Sequence, residues 1–328
     1  MIPACMRRRE FLGVLSGAVT LPLSAGAQQP GKSWRVAYLA LLPGEDTTLA
    51  KPFLERLQEL GYIEGKNLTL AYRSADGRPE RLPELAAELV RARPDVLVTG
   101  FGTLAAKAAS SATRTIPVIF TMVGDPIGAG LVASLSRPGA NVTGFSDLAS
   151  EFAAKRLQLL QNLIPGHKLI AVVGNPDTPF TALALKQVQT AAAANHQPLA
   201  VFEARTLDEI SAGIAAAIES GAAGLMTLDD PLLLSAKREI IKQLADARLP
   251  AVYGLRDYVE ANGLMSYSMD RPQTARRAAD YVDRILKGAV PADLPVEQPT
   301  RFEFVINLKA AKALGIAIPP RCSQLPTR

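Results

Sequence analysis

The sequence contains few of the residues from which catalytic and metal centres are usually built. It has two histidines and two cysteines among 328 residues, and His167 and His196 lie at a predicted turn and a predicted helix end. A metal site needs several such ligands at short spacing, and a cysteine nucleophile needs a histidine base. Neither a P-loop nor a Gly-x-Ser-x-Gly motif occurs. We therefore expect a protein that is not an enzyme and that carries no metal or other cofactor.

Disulfides and aromatic residues are also scarce. Cys5 lies in the amino-terminal segment and Cys322 near the other end, so an exported form would have no internal disulfide to stabilise it. Aromatic residues make up 5% of the chain, whereas hydrophobic residues make up 48%. This composition predicts a core of Val, Leu, Ile and Ala side chains. No later segment stays apolar for the ~20 residues that a membrane helix requires.

The amino-terminal segment has the three parts of an export signal. Arg7-Arg8-Arg9 precedes an apolar stretch from Leu12 to Leu23, and Ala25-Gly26-Ala27 supplies a small-residue cleavage pattern. Paired arginines before such a stretch favour the Tat route. We predict a Tat-type signal peptide at residues 1–27, cleavage after Ala27 and a periplasmic mature protein. Met6 is an alternative start. A membrane anchor is the competing interpretation, but the apolar stretch is too short to span a bilayer.

The charge of the chain does not point to nucleic acid. The formal net charge is +5, and Arg7, Arg8 and Arg9 supply much of that excess. The remaining chain is nearly balanced and shows no basic stripe. We therefore expect no nucleic-acid partner.

Short β-type runs alternate with alanine-rich helical stretches along the chain. This alternation predicts parallel sheets with helices on both faces. The predicted strands are Arg35–Leu41, Asn67–Tyr72, Asp95–Thr99, Pro117–Thr121, Asn141–Phe145, Lys168–Val173, Pro198–Glu203, Gly224–Leu228, Pro250–Tyr253, Gly263–Ser268 and Arg301–Ile306. The predicted helices are Thr48–Leu60, Arg81–Arg91, Thr103–Ser111, Gly128–Leu135, Thr181–Ala194, Leu207–Glu219, Leu232–Ala247, Arg256–Ala261, Asp270–Gly288 and Leu308–Leu314.

The second half of this pattern repeats the first. Arg35 aligns with Lys168 and Pro117 with Pro250 at the same separation, and five strands match in order. A repeat this long indicates a duplicated domain, so we predict an α/β protein with two Rossmann-like lobes. The trailing helix and strand suggest that the chain crosses between lobes more than twice, and such a hinge lets two lobes close on a ligand.

Ligands of open parallel sheets bind outside the carboxyl ends of the strands. There, Thr103 opens a predicted helix whose free N–H groups can hold a carboxylate, and Gly124-Asp125 forms a turn of similar potential. Asp229 and Asp230 precede a predicted helix start, so they can cap that helix, or one of them can bind an ammonium group. We assign the cationic group of the ligand to Asp230, together with Asn175. Tyr253 and Tyr267 could flank an apolar part of the ligand. The predicted ligand-binding residues are Thr103, Gly124, Asp125, Asn175, Asp230, Tyr253 and Tyr267.

One motif supports a different function. Gly100-Phe101-Gly102-Thr103-Leu104-Ala105 matches the pattern G-x-G-x-x-A, follows a strand and opens a helix, and Asp125 lies further along the chain. An exported oxidoreductase could bind a dinucleotide there. The motif follows the third strand, however, and not the first. This oxidoreductase is the alternative to a binding protein, and a sensor module of the same fold is a third possibility.

Several stretches resemble the substrate-binding proteins of ABC transporters, of the tryptophan- and tyrosine-binding type. The resemblance is carried by Ile116–Phe120, Gly124–Val132, Arg137–Gly144 and Ile306–Ile316. It implies a type I periplasmic-binding fold with a three-segment hinge, and an extracytoplasmic receptor that presents a small solute to an inner-membrane permease. Where tryptophan-binding members have Thr-Asp-Asn, this chain has Leu228-Asp229-Asp230, an acid in place of the amide. The solute is therefore left open between an amino acid and a small carboxylate.

The resemblance also implies how the chain is divided. We predict a first lobe of residues 34–147 and 269–298, a second lobe of residues 148–268 and 299–320, and a tail of residues 321–328. The tail differs from the acidic, apolar ending expected in this family. We expect a monomer.

Overall fold

The computed structural model describes residues 32–42, 50–147, 149–164, 166–178 and 181–317. The predicted signal peptide and the tail at residues 321–328 lie outside this part of the chain. The first eight elements are β1 (Trp34–Ala40), α1 (Lys51–Glu59), β2 (Leu68–Ser74), α2 (Leu82–Arg91), β3 (Val96–Phe101), α3 (Thr103–Ala112), β4 (Val118–Val123) and β5 (Val142–Ser146).

A second series of elements follows the first. It comprises α4 (Ala149–Gln161), β6 (Ile170–Gly174), α5 (Thr181–Ala194), β7 (Leu199–Glu203), α6 (Leu207–Glu219), β8 (Gly224–Thr227), α7 (Pro231–Ser235), α8 (Lys237–Asp246), β9 (Ala251–Tyr253), α9 (Arg256–Glu260) and β10 (Met265–Met269). The described chain ends with α10 (Arg271–Leu286), β11 (Phe302–Ile306) and α11 (Leu308–Ala313).

The strands form two sheets with the same order. The first sheet is β2-β1-β3-β4-β5 with all neighbours parallel. The second is β7-β6-β8-β9-β10, also parallel, and β11 adds to its edge antiparallel to β10. The predicted α/β fold with two Rossmann-like lobes is confirmed, because each half of the chain builds one sheet of the same topology.

Both faces of each sheet are covered, which explains why several strands are apolar without alternation. All residues of β4 and of β6 are buried, as expected for central parallel strands with helices on both sides. One apolar cluster includes the residues of α1 and α10 in the first lobe and of α6, α8 and α9 in the second. Separate clusters fill the outer face under α2 and α3 and the face under α4, α5 and α11.

The chain passes between the two sheets three times. It leaves the first sheet after β5, returns after β10 so that α10 packs on α1 and on β3 to β5, and crosses again before β11. Backbone hydrogen bonds hold these crossings together: Ser146 N donates to Glu297 O at 2.9 Å, and Asp270 N donates to Arg301 O at 3.1 Å. The lobe boundaries assigned to single residues from the sequence stay predictions.

The prediction of a helix at Gly128–Leu135 is wrong. Residues 126–136 form a series of turns, in which Gly130 has φ 71° and Leu131 N donates back to Pro126 O at 3.0 Å. A glycine in the left-handed region ends a helical turn. Leu131 and Val132 are nevertheless buried, so their apolar character reflects packing and not helix formation.

Two further helix assignments differ from the sequence prediction. The single helix expected at Leu232–Ala247 is broken at Ala236, between α7 and α8. Ser235 Oγ donates to Leu232 O at 2.6 Å, and a hydroxyl that bonds the backbone competes with the helical ladder. The helix α4 was not predicted at all, although it covers one face of the second sheet through contacts with β8, β9 and β10.

The close approach of β4 and β5 generates a stability prediction at Gly144. An ideal Cβ there would lie 2.1 Å from Phe120 O, so Gly144→Ala forces two buried strands apart and should lower the free energy of unfolding by about 1–3 kcal/mol. Gly213→Ala is the matched control, because its nearest neighbour would be 3.7 Å away and Ala favours a helix. Chemical denaturation measures both; an unchanged Gly144→Ala variant would contradict the close contact.

Candidate functional site

The topology places one ligand-binding position in each lobe. In the order β2-β1-β3 and again in β7-β6-β8, the first strand of the lobe lies between the next two. The connections that follow β1 and β3 therefore run to opposite sides of the first sheet, as do those that follow β6 and β8 in the second. Ligands bind in the crevice at the carboxyl ends of two such strands. In the first lobe this crevice lies between β1 and β3, and in the second lobe between β6 and β8.

The first lobe supplies the amino-terminal end of α3 at its switch point. Gly102 has φ 98° and connects β3 to Thr103, the first residue of α3, whose side chain is 4% exposed. The positive φ favours glycine here, because the chain must turn sharply from strand to helix. The free N–H groups of a helix start attract anions. Thr103 therefore has a position that suits its predicted role.

The turn at Gly124-Asp125 has a local structural role. The Asp125 carboxylate accepts a hydrogen bond from Gly128 N at 2.8 Å, and an ideal Cβ on Gly128 would lie 2.1 Å from Asp125 Oδ2. Asp125 thus caps its own turn, in the manner common for aspartate. This engagement gives no support to a ribose contact by Asp125, which the dinucleotide interpretation requires.

In the second lobe, Asp230 is a buried helix cap. One carboxylate oxygen accepts from Leu233 N at 2.9 Å at the start of α7, and the other accepts from Thr178 Oγ1 and from Asn175 Nδ2, the latter at 3.2 Å. Asp230 is 2% exposed. Burial raises the pKa of Asp230 above its ordinary value, and its hydrogen bonds with Thr178, Leu233, Leu232 and Asn175 partly oppose that rise. The structure thus brings Asn175 and Asp230 together, as predicted. Both carboxylate oxygens of Asp230, however, already accept hydrogen bonds from the protein.

The neighbouring Asp229 forms a buried ion pair that the sequence did not reveal. Arg156, on α4, donates from Nη2 to Asp229 Oδ2 at 2.6 Å and from Nε to Tyr267 O at 2.9 Å. The Arg156 side chain is 1% exposed and that of Asp229 is 9% exposed. An ideal Cβ on Gly254 would lie 1.3 Å from Asp229 Oδ1. The carboxylate therefore sits against β9 only because residue 254 has no side chain.

A signal for Arg156 was present in the sequence. Ala153 and Leu160 are buried in the same apolar cluster. They lie three residues before and four residues after Arg156, and this spacing places all three on one face of a helix. A charged residue on an apolar helix face predicts a buried partner. Because α4 itself was not predicted, neither the residue nor its partner could be assigned.

The two predicted tyrosines have different surroundings. Tyr267 packs edge-on to Phe152 at a centroid distance of 5.6 Å and lies 6.5 Å from Phe302, and burial raises the pKa of its hydroxyl. Tyr253 is 2% exposed and stacks on Tyr258 at 4.5 Å, and burial raises its pKa as well. The structure therefore buries the side chain of Tyr253 in the core, against Tyr258.

Two cavities border the crossings between the lobes. One of about 250 Å³ is lined by all three crossings, including Ser146, Asp270 and Arg301. Another of about 440 Å³ is lined by Pro52 of the first lobe and by Arg256 and other charged residues of the second. Cavities of a few hundred Å³ suit small ligands. In the described part of the chain, no group of His, Cys, Asp and Glu side chains could hold a metal ion.

None of the helices in the described residues is both long and apolar enough to cross a bilayer.

The comparisons with known proteins agree with this topology. The sequence model of the family "ABC transporter substrate binding protein" matches residues 42–328, and the chain belongs to this family. A tyrosine-binding protein of Clostridioides difficile (strain R20291) is 28% identical over 267 residues, which cover 81% of this chain and 76% of that protein. Members of such a family bind solutes and are not enzymes. The predicted resemblance is confirmed.

Solved structures extend the similarity to nearly the whole chain. A conserved domain protein of Vibrio cholerae O1 biovar El Tor is 34% identical with a TM-score of 0.84, covering 90% of this chain and 99% of that one. An ABC domain of Streptococcus pneumoniae in complex with L-Trp is 25% identical with a TM-score of 0.82, covering 90% and 98%.

The buried cap generates a pH prediction. The pKa of Asp230 is raised by folding, so the folded state binds its proton more tightly than the unfolded state, and the carboxylate costs stability once ionised. The free energy of unfolding of the wild type relative to Asp230→Asn, which keeps a good cap, should therefore fall as the pH rises above about 4. Denaturant titrations of both proteins from pH 3 to 8 (about the usual working range) measure this difference. A flat difference would contradict the assignment.

The buried ion pair generates a second prediction. Arg156→Met leaves Asp229 without its partner, and breaking a buried pair costs about 3–5 kcal/mol. The matched control is Arg73→Met, which removes an equally short contact of 2.6 Å to Glu88, but between side chains that are 44% and 42% exposed. We expect a small change there because solvent screens exposed pairs. Equal losses of unfolding free energy in the two variants would show that burial does not determine how much Arg156 contributes to stability.

Proposed function

We propose that this protein is an extracytoplasmic receptor of an ABC importer that captures an amino acid between its two lobes. The observation that supports this most directly is the complementary chemistry of the two switch points. The first lobe presents a helix start at Thr103, which favours an anion, and the second lobe presents two carboxylates, Asp229 and Asp230. A zwitterion with a carboxylate and an ammonium group matches this pair of surfaces.

Of the two acids, Asp229 is the better candidate for the ammonium contact. All the hydrogen bonds of Asp230 go to the chain itself, at Leu233, Thr178 and Asn175. Asp229 uses Oδ2 for Arg156 and keeps 9% of its side chain exposed at the end of β8. The sequence-based choice of Asp230 is thereby shifted by one residue, and Asp230 and Asn175 support the loop that carries Asp229.

The relatives favour an amino acid over a simple carboxylate. One is a tyrosine-binding protein, and another was crystallised with L-Trp. Micromolar affinity corresponds to about −8 kcal/mol, and burying an aromatic side chain provides roughly 4–6 kcal/mol before ordering costs. Polar contacts at both ends of the ligand must supply the rest. In this proposal Tyr267, beside Phe152 and Phe302, contributes apolar surface in the second lobe.

The setting of the receptor follows from the amino-terminal segment. Export through the Tat route with cleavage after Ala27 would release a periplasmic protein, and the inner-membrane permease of an importer would be its partner. We propose that it works as a monomer, because two lobes of one chain already enclose the ligand. The predicted lobes, residues 34–147 with 269–298 and residues 148–268 with 299–320, would close about the three crossings.

A thermal-shift screen tests the proposal. The protein beginning at Gln28 should be stabilised by one or more L-amino acids, by about 2.7 kcal/mol at a concentration a hundredfold above Kd. Small-angle scattering should show a smaller radius of gyration with that ligand, because the lobes close.

Matched analogues identify the recognised groups. The same molecule without its amino group should bind at least about tenfold more weakly, since a charge-assisted hydrogen bond is lost. Equal binding of the deaminated analogue would refute the ammonium contact. A lack of response to every amino acid, combined with nicotinamide or flavin absorbance in the purified protein, would favour the oxidoreductase.

A further inference from the structure

Arg156 connects three parts of the second lobe that are far apart in sequence. It belongs to α4, the first element after the chain crosses from the first lobe. Its Nη2 reaches Asp229 at the end of β8, and its Nε reaches the carbonyl of Tyr267 in β10. The helix α4 follows the first crossing, and β10 leads into the second. Arg156 therefore connects the segments next to both crossings, and its guanidinium also contacts Asp229 at the candidate ligand site.

Within the described residues, the buried guanidinium of Arg156 has two hydrogen-bond acceptors and one nitrogen without a partner. Arg156 is the bulkiest of the fully buried side chains in the described residues. Its Nη1 is buried and has no hydrogen-bond partner within that part of the chain, so Asp229 and the Tyr267 carbonyl are its only acceptors there. A buried charge that lost one of them would be strongly penalised. If Asp229 moves, Arg156 must therefore move with it, and if Arg156 moves, β10 must follow.

Gly254 limits how Asp229 can move. Asp229 Oδ1 lies 1.3 Å from the position that a Cβ of residue 254 would take, and Arg156 Nη1 lies 2.9 Å from the same position. The ion pair thus rests on one side against the backbone at Gly254, directly after β9. The remaining exposed part of Asp229 is the part that a ligand can contact.

We propose that Arg156 is a positioning residue that couples occupancy of the ligand site to the hinge. It orients Asp229 toward the ammonium group of the solute, and it transmits a shift of Asp229 through the Tyr267 carbonyl to β10 and the crossing that follows. The part played by the ammonium group rests on the proposed function, whereas the mechanical coupling does not. Asp230 cannot serve this purpose, because its contacts end within α7 and the segment before α5.

Hydrogen exchange on the unliganded protein tests the coupling without any ligand. In Arg156→Gln, amides of residues 228–230 and of residues 267–270 should both exchange about tenfold faster, because both acceptors lose their donor. Lys155→Gln is the matched control: Lys155 is the adjacent residue on α4 and contacts Gln158 at the surface. Faster exchange confined to one of the two segments, or spread evenly over the whole lobe, would overturn the coupling.

Two further variants separate positioning from a loss of folding. Gly254→Ala displaces Asp229 and crowds the tip of Arg156, whose Nη1 lies 2.9 Å from the new Cβ, while the sequence of α4 is unchanged. It should also accelerate exchange at residues 267–270. Arg156→Lys keeps a cation for Asp229, but an ammonium group lacks the planar fork that reaches two acceptors. It should protect residues 228–230 and leave residues 267–270 fast. If Gly254→Ala leaves residues 267–270 unchanged, the path through Arg156 is wrong.

A binding experiment tests the positioning of Asp229. The probes are L-tyrosine with 3-(4-hydroxyphenyl)propionate and L-tryptophan with indole-3-propionate, each pair differing by the amino group. Arg156→Gln should weaken the amino acid by about tenfold or more and the deaminated analogue by less than about threefold. Parallel losses for both members of a pair would indicate a structural role alone. If the wild type binds neither amino acid, the aromatic amino-acid assignment fails, and hydrogen exchange still decides the coupling.

Discussion

The buried ion pair between Arg156 and Asp229 is the constraint on which the carboxyl end of the second sheet depends. A guanidinium that is 1% exposed can remain charged only where its acceptors are held in place. Those acceptors come from β8 and β10, so the pair sets the separation of strands that flank the short β9. Gly254 has no side chain that would displace Asp229, and α4 packs on β8, β9 and β10, which brings Arg156 within reach of both acceptors.

The two lobes share a topology but present opposite chemistry to a ligand. In the first lobe the end of β3 leads through Gly102 directly into α3, so backbone N–H groups form the surface. In the second lobe the end of β8 leads into two acids, one of which caps the short helix α7. In the proposed receptor, the helix start of the first lobe would bind the carboxylate of the solute and Asp229 of the second lobe its ammonium group.

Much of the fold could be predicted from the sequence, because alternation of apolar strands and alanine-rich helices is a local signal. The strand pattern and the repeated order of the halves both depend on it. The site was harder to predict. Asn175 and Asp230 were correctly grouped, since both follow strands, but their hydrogen bonds to the chain could not be inferred. Tyr253 does end strand β9, as expected, but its side chain is buried against Tyr258, and its position in the sequence does not show that direction. Arg156 could not be assigned to the site from the sequence, because α4 was not predicted and the partner of Arg156 lies 73 residues away.

The return of α10 to the first lobe has a consequence for folding. The helix packs against α1 and against β3 to β5, yet it is synthesised after every strand of the second lobe except β11. The second sheet in turn gains its edge strand β11 only after α10. Neither lobe can therefore complete its core while the other is still missing from the nascent chain. Such long-range contacts slow folding and leave apolar surface transiently exposed. The first lobe therefore acquires α10, and with it the cover of β3 to β5, only after most of the second lobe has been synthesised.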